Sequence, residues 1–173
     1  IILLNDDVLT RSDFVAAHLA AHERLAEPAM VLGRSIFKPP ADERIFDRMI
    51  ADTSMVFFYD QMTPHTWYGY RHAWNLNLSL HRRYLERERF NEQMDPIYFD
   101  DLELAFRLQR CHGLRVWYAP EPVVLHDHRY TLSSYLRRER TLGAAAAGLW
   151  RTNPACFRDI YRADLDDEYL AYC

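Results

Sequence analysis

Two carboxylate pairs, Asp6-Asp7 and Asp100-Asp101, and a histidine, His126, are the residues here whose types and settings support chemistry. Asp100-Asp101 follows Tyr98-Phe99 and opens a run in which Leu104 and Leu108, with Leu102 and Ala105 beside them, recur at helical spacing. Carboxylates on a first helical turn meet unpaired N–H groups that favour the anion and keep it ionised. Such a carboxylate is a candidate general base, or simply a helix cap. Asn5-Asp6-Asp7 follows an apolar run, and ligands of open α/β sheets bind beyond the carboxyl ends of strands. Oxygen ligands there suit Mg2+ or Mn2+; the alternative is a polar turn. His126, at the end of another apolar run, is either a metal ligand or a buried structural histidine.

The elements that must position these groups are read from periodicity. Ile1 to Leu4 reads as a fully buried strand of the parallel-sheet kind. Thr10 and Ser12 offer caps for a helix with Phe14, Ala17, Ala21 and Leu25 on one face, closed by Pro28. His18 and His22 lie one turn apart on it without a third ligand and are read as solvated. A strand over 29–37 ends at Lys38-Pro39-Pro40, and 41–52 reads as a helix with Ile45, Met49 and Ile50 inward. The aromatic stretch 54–70 reads as a strand or lid-like loop.

Trp74 to Leu80 alternates, with Trp74, Leu76, Leu78 and Leu80 on one face and Asn75, Asn77 and Ser79 on the other. That polar row faces solvent or lines a polar cleft. His81 to Glu88 reads as a short basic helix leading through Phe90-Asn91-Glu92 and Pro96 to Asp101. Gly113 is placed as the stop of the Asp101 helix, and strands 114–118 and 123–125 flank a Pro120-Glu121-Pro122 corner. A helix from Thr131 to Gly143 carries Arg137, Arg138 and Arg140, either as a phosphate grip or as its wet face.

A chain of 173 residues, nearly half apolar, suffices for one domain with a real core. Its net charge of −4 argues against a general nucleic-acid binder. Cys111, Cys156 and Cys173 are dispersed, as expected of a reducing compartment without disulfides or structural zinc. The apolar stretch 142–150 is too short to span a bilayer and no signal peptide is visible. The expectation is a soluble chain, a piece of a longer protein, cytoplasmic or peripheral to the inner face of a membrane.

In this order, Asn5-Asp6-Asp7, Asn77-Leu78-Ser79-Leu80-His81-Arg82-Arg83, Phe90-Asn91-Glu92, Asp100-Asp101-Leu102-Glu103-Leu104 with Arg107, then Gly113, Pro120 and His126, the sequence resembles the family 2 glycosyltransferases of GT-A fold. The resemblance covers roughly residues 1–145, leaving 146–173 as a C-terminal helical extension. It implies a partial GT-A fold with a mixed, mainly parallel sheet flanked by helices, comprising the metal- and acceptor-side portion of the domain. It further implies transfer of a sugar from a nucleotide-diphosphate donor to an acceptor hydroxyl of a glycan, lipid or small molecule, metal-dependent and inverting.

By the same resemblance Asp7 would coordinate Mn2+ or Mg2+ on the donor diphosphate, with Asp6 nearby and His126 reaching the metal or the diphosphate. Asp101 would be the base and Asp100 its neighbour, Arg138 and Arg140 would hold the leaving diphosphate, and Asn77 would border the donor pocket. Glu103 and Arg107 read as an i,i+4 pair steadying the helix. The family's strands for the nucleotide base are absent from this sequence, so this piece is expected to transfer sugar poorly or not at all. Two competing readings are a nucleotidyltransferase, which would want two metals sharing ligands, and a non-catalytic binding or assembly module.

Overall fold

The protein is described by a computed structural model over residues 1–94 and 98–162; Pro96 and 163–173, Cys173 included, lie outside the described residues. The elements are β1 (Ile2–Leu4), β2 (Val8–Thr10), α1 (Phe14–Glu23), β3 (Met30–Phe37), α2 (Ile45–Asp52), β4 (Thr66–Tyr68), β5 (Asn77–Ser79), α3 (Arg82–Arg87), α4 (Asp100–His112), β6 (Val116–His126), α5 (Leu132–Thr152) and α6 (Pro154–Tyr161). Short 3-10 turns at Tyr59–Gln61 and Tyr70–His72 flank β4, so the aromatic stretch is mostly loop.

The result is an α/β fold whose mixed sheet runs β1-β5-β3-β6-β2, with β4 beside the first half of β6. It is not mainly parallel. Among the described residues β3 and β6 form the one parallel pair, while β1·β5, β3·β5, β2·β6 and β4·β6 are antiparallel. An apolar run carries no information on strand direction, and three-residue strands joined by turns and excursions need no crossover helix. β1 is an edge strand, and Ile1 and Leu4 are exposed rather than fully buried.

The expected corner at Pro120-Glu121-Pro122 is a bulge inside one strand. Leu32 pairs with Tyr118 and Arg34 with Val123, so Gly33 alone stands opposite residues 119–122. Prolines are tolerated there because the bulge asks for no ladder N–H. A Cβ on Gly33 would lie 2.3 Å from Asn77 Nδ2 and 2.4 Å from the Pro122 carbonyl oxygen, so only glycine fits.

Alternation along β3 divides the core. Met30 and Leu32 join Leu78, Val116 and Tyr118 in the main core under α4, α5 and α6, whereas Val31 meets Ala21, Ala29 and Ala119 on the α1 side. α1 starts after Asp13 rather than after Thr10 or Ser12. On α2 Ile50 is buried as expected, but Ile45 and Met49 are exposed. α4 ends at Gly113 in the left-handed region (φ 68°), as its position implied.

Thr131 caps α5, its hydroxyl accepting the Ser134 N–H at 3.1 Å, and the helix continues through Gly143 and Gly148 to Thr152. It therefore crosses residue 145, the expected boundary of the extension. Ala145, Ala146 and Leu149 join Cys156 and Phe157 of α6 in the main core. Glu103 is buried and takes both Arg107 Nε and an Arg107 terminal nitrogen at 2.9 Å, as the i,i+4 reading required. Asn153, the cap of α6, donates to the same carboxylate at 2.8 Å, which ties α6 to α4.

Candidate metal and acid–base site

The turn at Asn5-Asp6-Asp7 connects β1 to β2, and the pairing of Val8 with His126 brings it to the end of β6. The Asp127 N–H donates to the Asp7 carbonyl at 2.8 Å and fixes the two segments together. Asp7 Oδ2 then lies 3.2 Å from His126 Nε2 and 3.2 Å from His128 Nδ1. The three ligand atoms fall within 4.8 Å of one another.

Two buried atoms here, Asp7 Oδ1 and His126 Nδ1, have no hydrogen-bond partner. A carboxylate oxygen left bare beside two imidazoles is the setting a cation would relieve, so these residues fit a divalent ion. His126 packs against Phe37 and Phe57, with ring centroids at 4.8 and 6.1 Å. Burial lowers its pKa against the opposing pull of Asp7, which favours the neutral imidazole that metals bind.

A cleft of about 990 Å³ opens beside this cluster. Asn5, Asp7, His126 and His128 line it together with Asp100 and Asp101 from the first turn of α4 and Arg137 and Arg138 from α5. Aromatic walls come from Phe57, Phe58, Trp74, Tyr98 and Tyr130.

The residue before α4 is Phe99, buried and at φ 65°, a conformation costly for a β-carbon-bearing residue and held by its surroundings. Asp100 and Asp101 are thus the first two helical residues, not caps. Asp101 Oδ1 accepts the Leu102 N–H at 2.7 Å and Oδ2 the Asn75 N–H at 3.4 Å. Those donors pull the pKa down, as a helix start should, but loss of hydration and then the Asp100 charge push it up to about 7. The group is therefore held at the edge of ionisation rather than kept ionised, which suits a proton acceptor working near neutrality.

Three expected site residues lie elsewhere. Asp6 is exposed and outside the cleft lining, and the Asn5 of the same turn takes its place there. Arg140 is exposed on another face of α5, while Arg137, one residue before Arg138, lines the cleft.

Asn77 is wholly buried under α1. Its Nδ2 donates to the carbonyls of Arg34 (3.1 Å) and Pro122 (2.8 Å), which leaves Oδ1 to accept the His18 Nε2–H at 2.8 Å. His18 Nδ1 must then accept the Ser79 hydroxyl at 2.8 Å, and Ser79 Oγ accepts the His22 Nε2–H at 2.9 Å. The alternation of β5 holds, but its polar face is roofed by a helix rather than by solvent or substrate. The histidines expected to be solvated supply its partners. Ser79, His18 and Asn77 have the connectivity of a nucleophilic triad, yet all three are buried and none lines the cleft, so the chain of bonds is a structural clamp.

His128 was missing from the residues expected at the site, and Arg137 was named as a phosphate-gripping candidate but not carried to the donor site with Arg138 and Arg140. The signal for His128 was present, since a His-x-His at a strand end places both rings on one side. No family model, no curated protein and no solved structure matches the chain.

Proposed function

We propose that this chain is the metal- and acceptor-side part of a GT-A-type transferase that moves a sugar from a nucleotide-diphosphate donor to an acceptor hydroxyl with inversion. The observation that carries the reading is that Asp7, His126 and His128 share one cleft with Asp101, Arg137 and Arg138. A divalent ion held by Asp7 and the histidines would neutralise the charge that grows on the leaving diphosphate. Arg137 and Arg138 offer fixed positive charge to the same oxygens. Asp101 accepts the proton of the attacking hydroxyl, and the wall of Phe57, Phe58 and Trp74 keeps water from competing. The reading is supported by the convergence of these groups, the upward shift that burial gives Asp101 and the order of the motifs along the chain. A cytoplasmic location belongs to the same reading; among the described residues no helix is long and apolar enough to cross a membrane.

Calorimetric titration of the intact parent protein, which supplies the nucleotide-base strands, with UDP and GDP, with and without Mn2+, tests the proposal. Binding that requires Mn2+ and weakens about tenfold or more in Arg138→Ala is expected. No metal-dependent nucleotide binding would discard it in favour of a non-catalytic module.

A further inference from the structure

We propose that Asp7, His126 and His128 form a preformed three-ligand site that selects a borderline divalent ion, Mn2+ or Zn2+, over Mg2+, and that His128 is the selecting residue. The inference deepens the transferase reading by naming the ion, while the binding itself needs neither nucleotide nor sugar.

The donor set decides the preference. Mg2+ demands oxygen ligands in a tight octahedron and gives up its waters reluctantly, whereas imidazole nitrogen suits Mn2+ and Zn2+. Two of the three donors here are imidazole nitrogens and one is a carboxylate oxygen. Neighbouring donors around an ion with bonds of about 2.1 Å stand roughly 3.0–3.4 Å apart. The 3.2 Å separations from Asp7 Oδ2 to both histidines match that spacing. The buried, partnerless Asp7 Oδ1 is an independent sign of a missing cation.

The two histidines differ in how they are held. His126 is a buried strand residue set among aromatic rings. His128 is half exposed at the mouth and belongs to the segment that follows β6. That segment is latched on both sides of the ligand. Lys38 pairs with Asp127 at 2.7 Å, and Arg129 forks onto Asp47 at 2.8 and 2.9 Å while reaching Asp42 at 2.7 Å. His128 also lies against Tyr130, with centroids at 4.4 Å. The third ligand is therefore in place before any ion arrives. Without it the site would be one carboxylate, one imidazole and water, a set with less to distinguish Mn2+ from Mg2+.

The test is calorimetry of the chelator-stripped chain with MnCl2, ZnCl2 and MgCl2, and Mn2+ electron paramagnetic resonance, all without nucleotide. One equivalent of Zn2+ or Mn2+ is expected, Zn2+ the tighter, with Mg2+ weaker than Mn2+ by about 100-fold or more. His128→Ala should weaken Mn2+ by about 10–100-fold and narrow the Mn2+ to Mg2+ ratio, and Asp7→Asn should abolish binding. Asp6→Asn should change nothing. Circular dichroism checks that each variant is folded, and His128, being half exposed, is replaced without loss of core. Equal binding of Mg2+ and Mn2+, or unchanged Mn2+ affinity in folded His128→Ala, would overturn the proposal. Selective Mn2+ binding by this chain, with no Mn2+-dependent nucleotide binding by the intact parent, would uphold this site and discard the transferase.

Discussion

His18 and Asn77, 59 residues apart in the chain, meet in a buried hydrogen bond of 2.8 Å that joins α1 to the middle of the sheet. Asn77 spends its amide on two backbone carbonyls and its oxygen on the histidine, so three polar groups beneath α1 depend on it. Asn77→Ala should cost about 2–4 kcal/mol in urea unfolding, because two carbonyls and an imidazole N–H lose their partner. Mn2+ affinity of the folded variant should be unchanged. A large loss of metal or nucleotide binding at full stability would instead return Asn77 to the ligand pocket.

The same clamp makes the fold acid-sensitive. Burial, followed by the nearby His81 and His18, lowers the His22 pKa to about 4. The folded state thus binds the proton less readily than the unfolded chain, whose histidine titrates near 6.5. His22 then contributes its full stability above pH 6.5 and loses it as the pH falls toward 4. Melting temperature should decline over that window, and the decline should flatten in His22→Gln. A variant that follows the wild-type curve would remove His22 as the cause.

Asp101 carries the opposite sign. Its folded pKa, raised to about 7, means the folded state keeps the proton longer than the unfolded chain does. Its ionisation therefore costs stability progressively from about pH 4 to pH 7, and fully above. Asp101→Asn should gain in melting temperature relative to wild type on going from pH 4 to pH 8. In the transferase reading, activity of the intact enzyme should rise with pH to a limb near 7 and fall about 10²-fold or more in that variant, with Mn2+ binding retained. A pH-independent rate would exclude Asp101 as the base.

Glu103 is almost completely buried, and its carboxylate oxygens are satisfied there by Arg107 and Asn153. Removing Arg107 strands the carboxylate, so Arg107→Ala should destabilise by about 3–5 kcal/mol. Glu103→Gln should cost less. Hydrogen exchange should show α6 loosening first, since Asn153 is its cap. Equal protection of α6 in both variants would contradict that coupling.

How much of this was legible depends on what the sequence pattern measures. The start of α4 after Tyr98-Phe99 and its stop at Gly113 are local, written in helical spacing and one glycine, and they were read correctly. The two faces of β5 were also readable, because alternation reports which residues share a side. What covers a side is a long-range fact, and α1 covering Asn77 and Ser79 left no mark at those positions. Sheet direction was misjudged for the same reason, as Ile1 to Leu4 reads alike at a parallel centre and at an antiparallel edge. The protonation of Asp101 went astray because its helix-end donors are visible in sequence whereas desolvation is not.

The bulge opposite Gly33 lets the two halves of β6 keep separate phases. Residues 116–118 answer to β4 and the core, while 123–126 answer to β2 and the cleft. Side chains change sides with every residue, and the bulge frees the second half from the alternation that starts at Val116, so the facing of His126 follows its own pairings. The pairing of His126 with Val8 and Phe37, on the far side of the bulge, sets the face on which that imidazole stands. Losing one residue from the bulge would shorten it while residues 123–126 keep their register on β3 and β2.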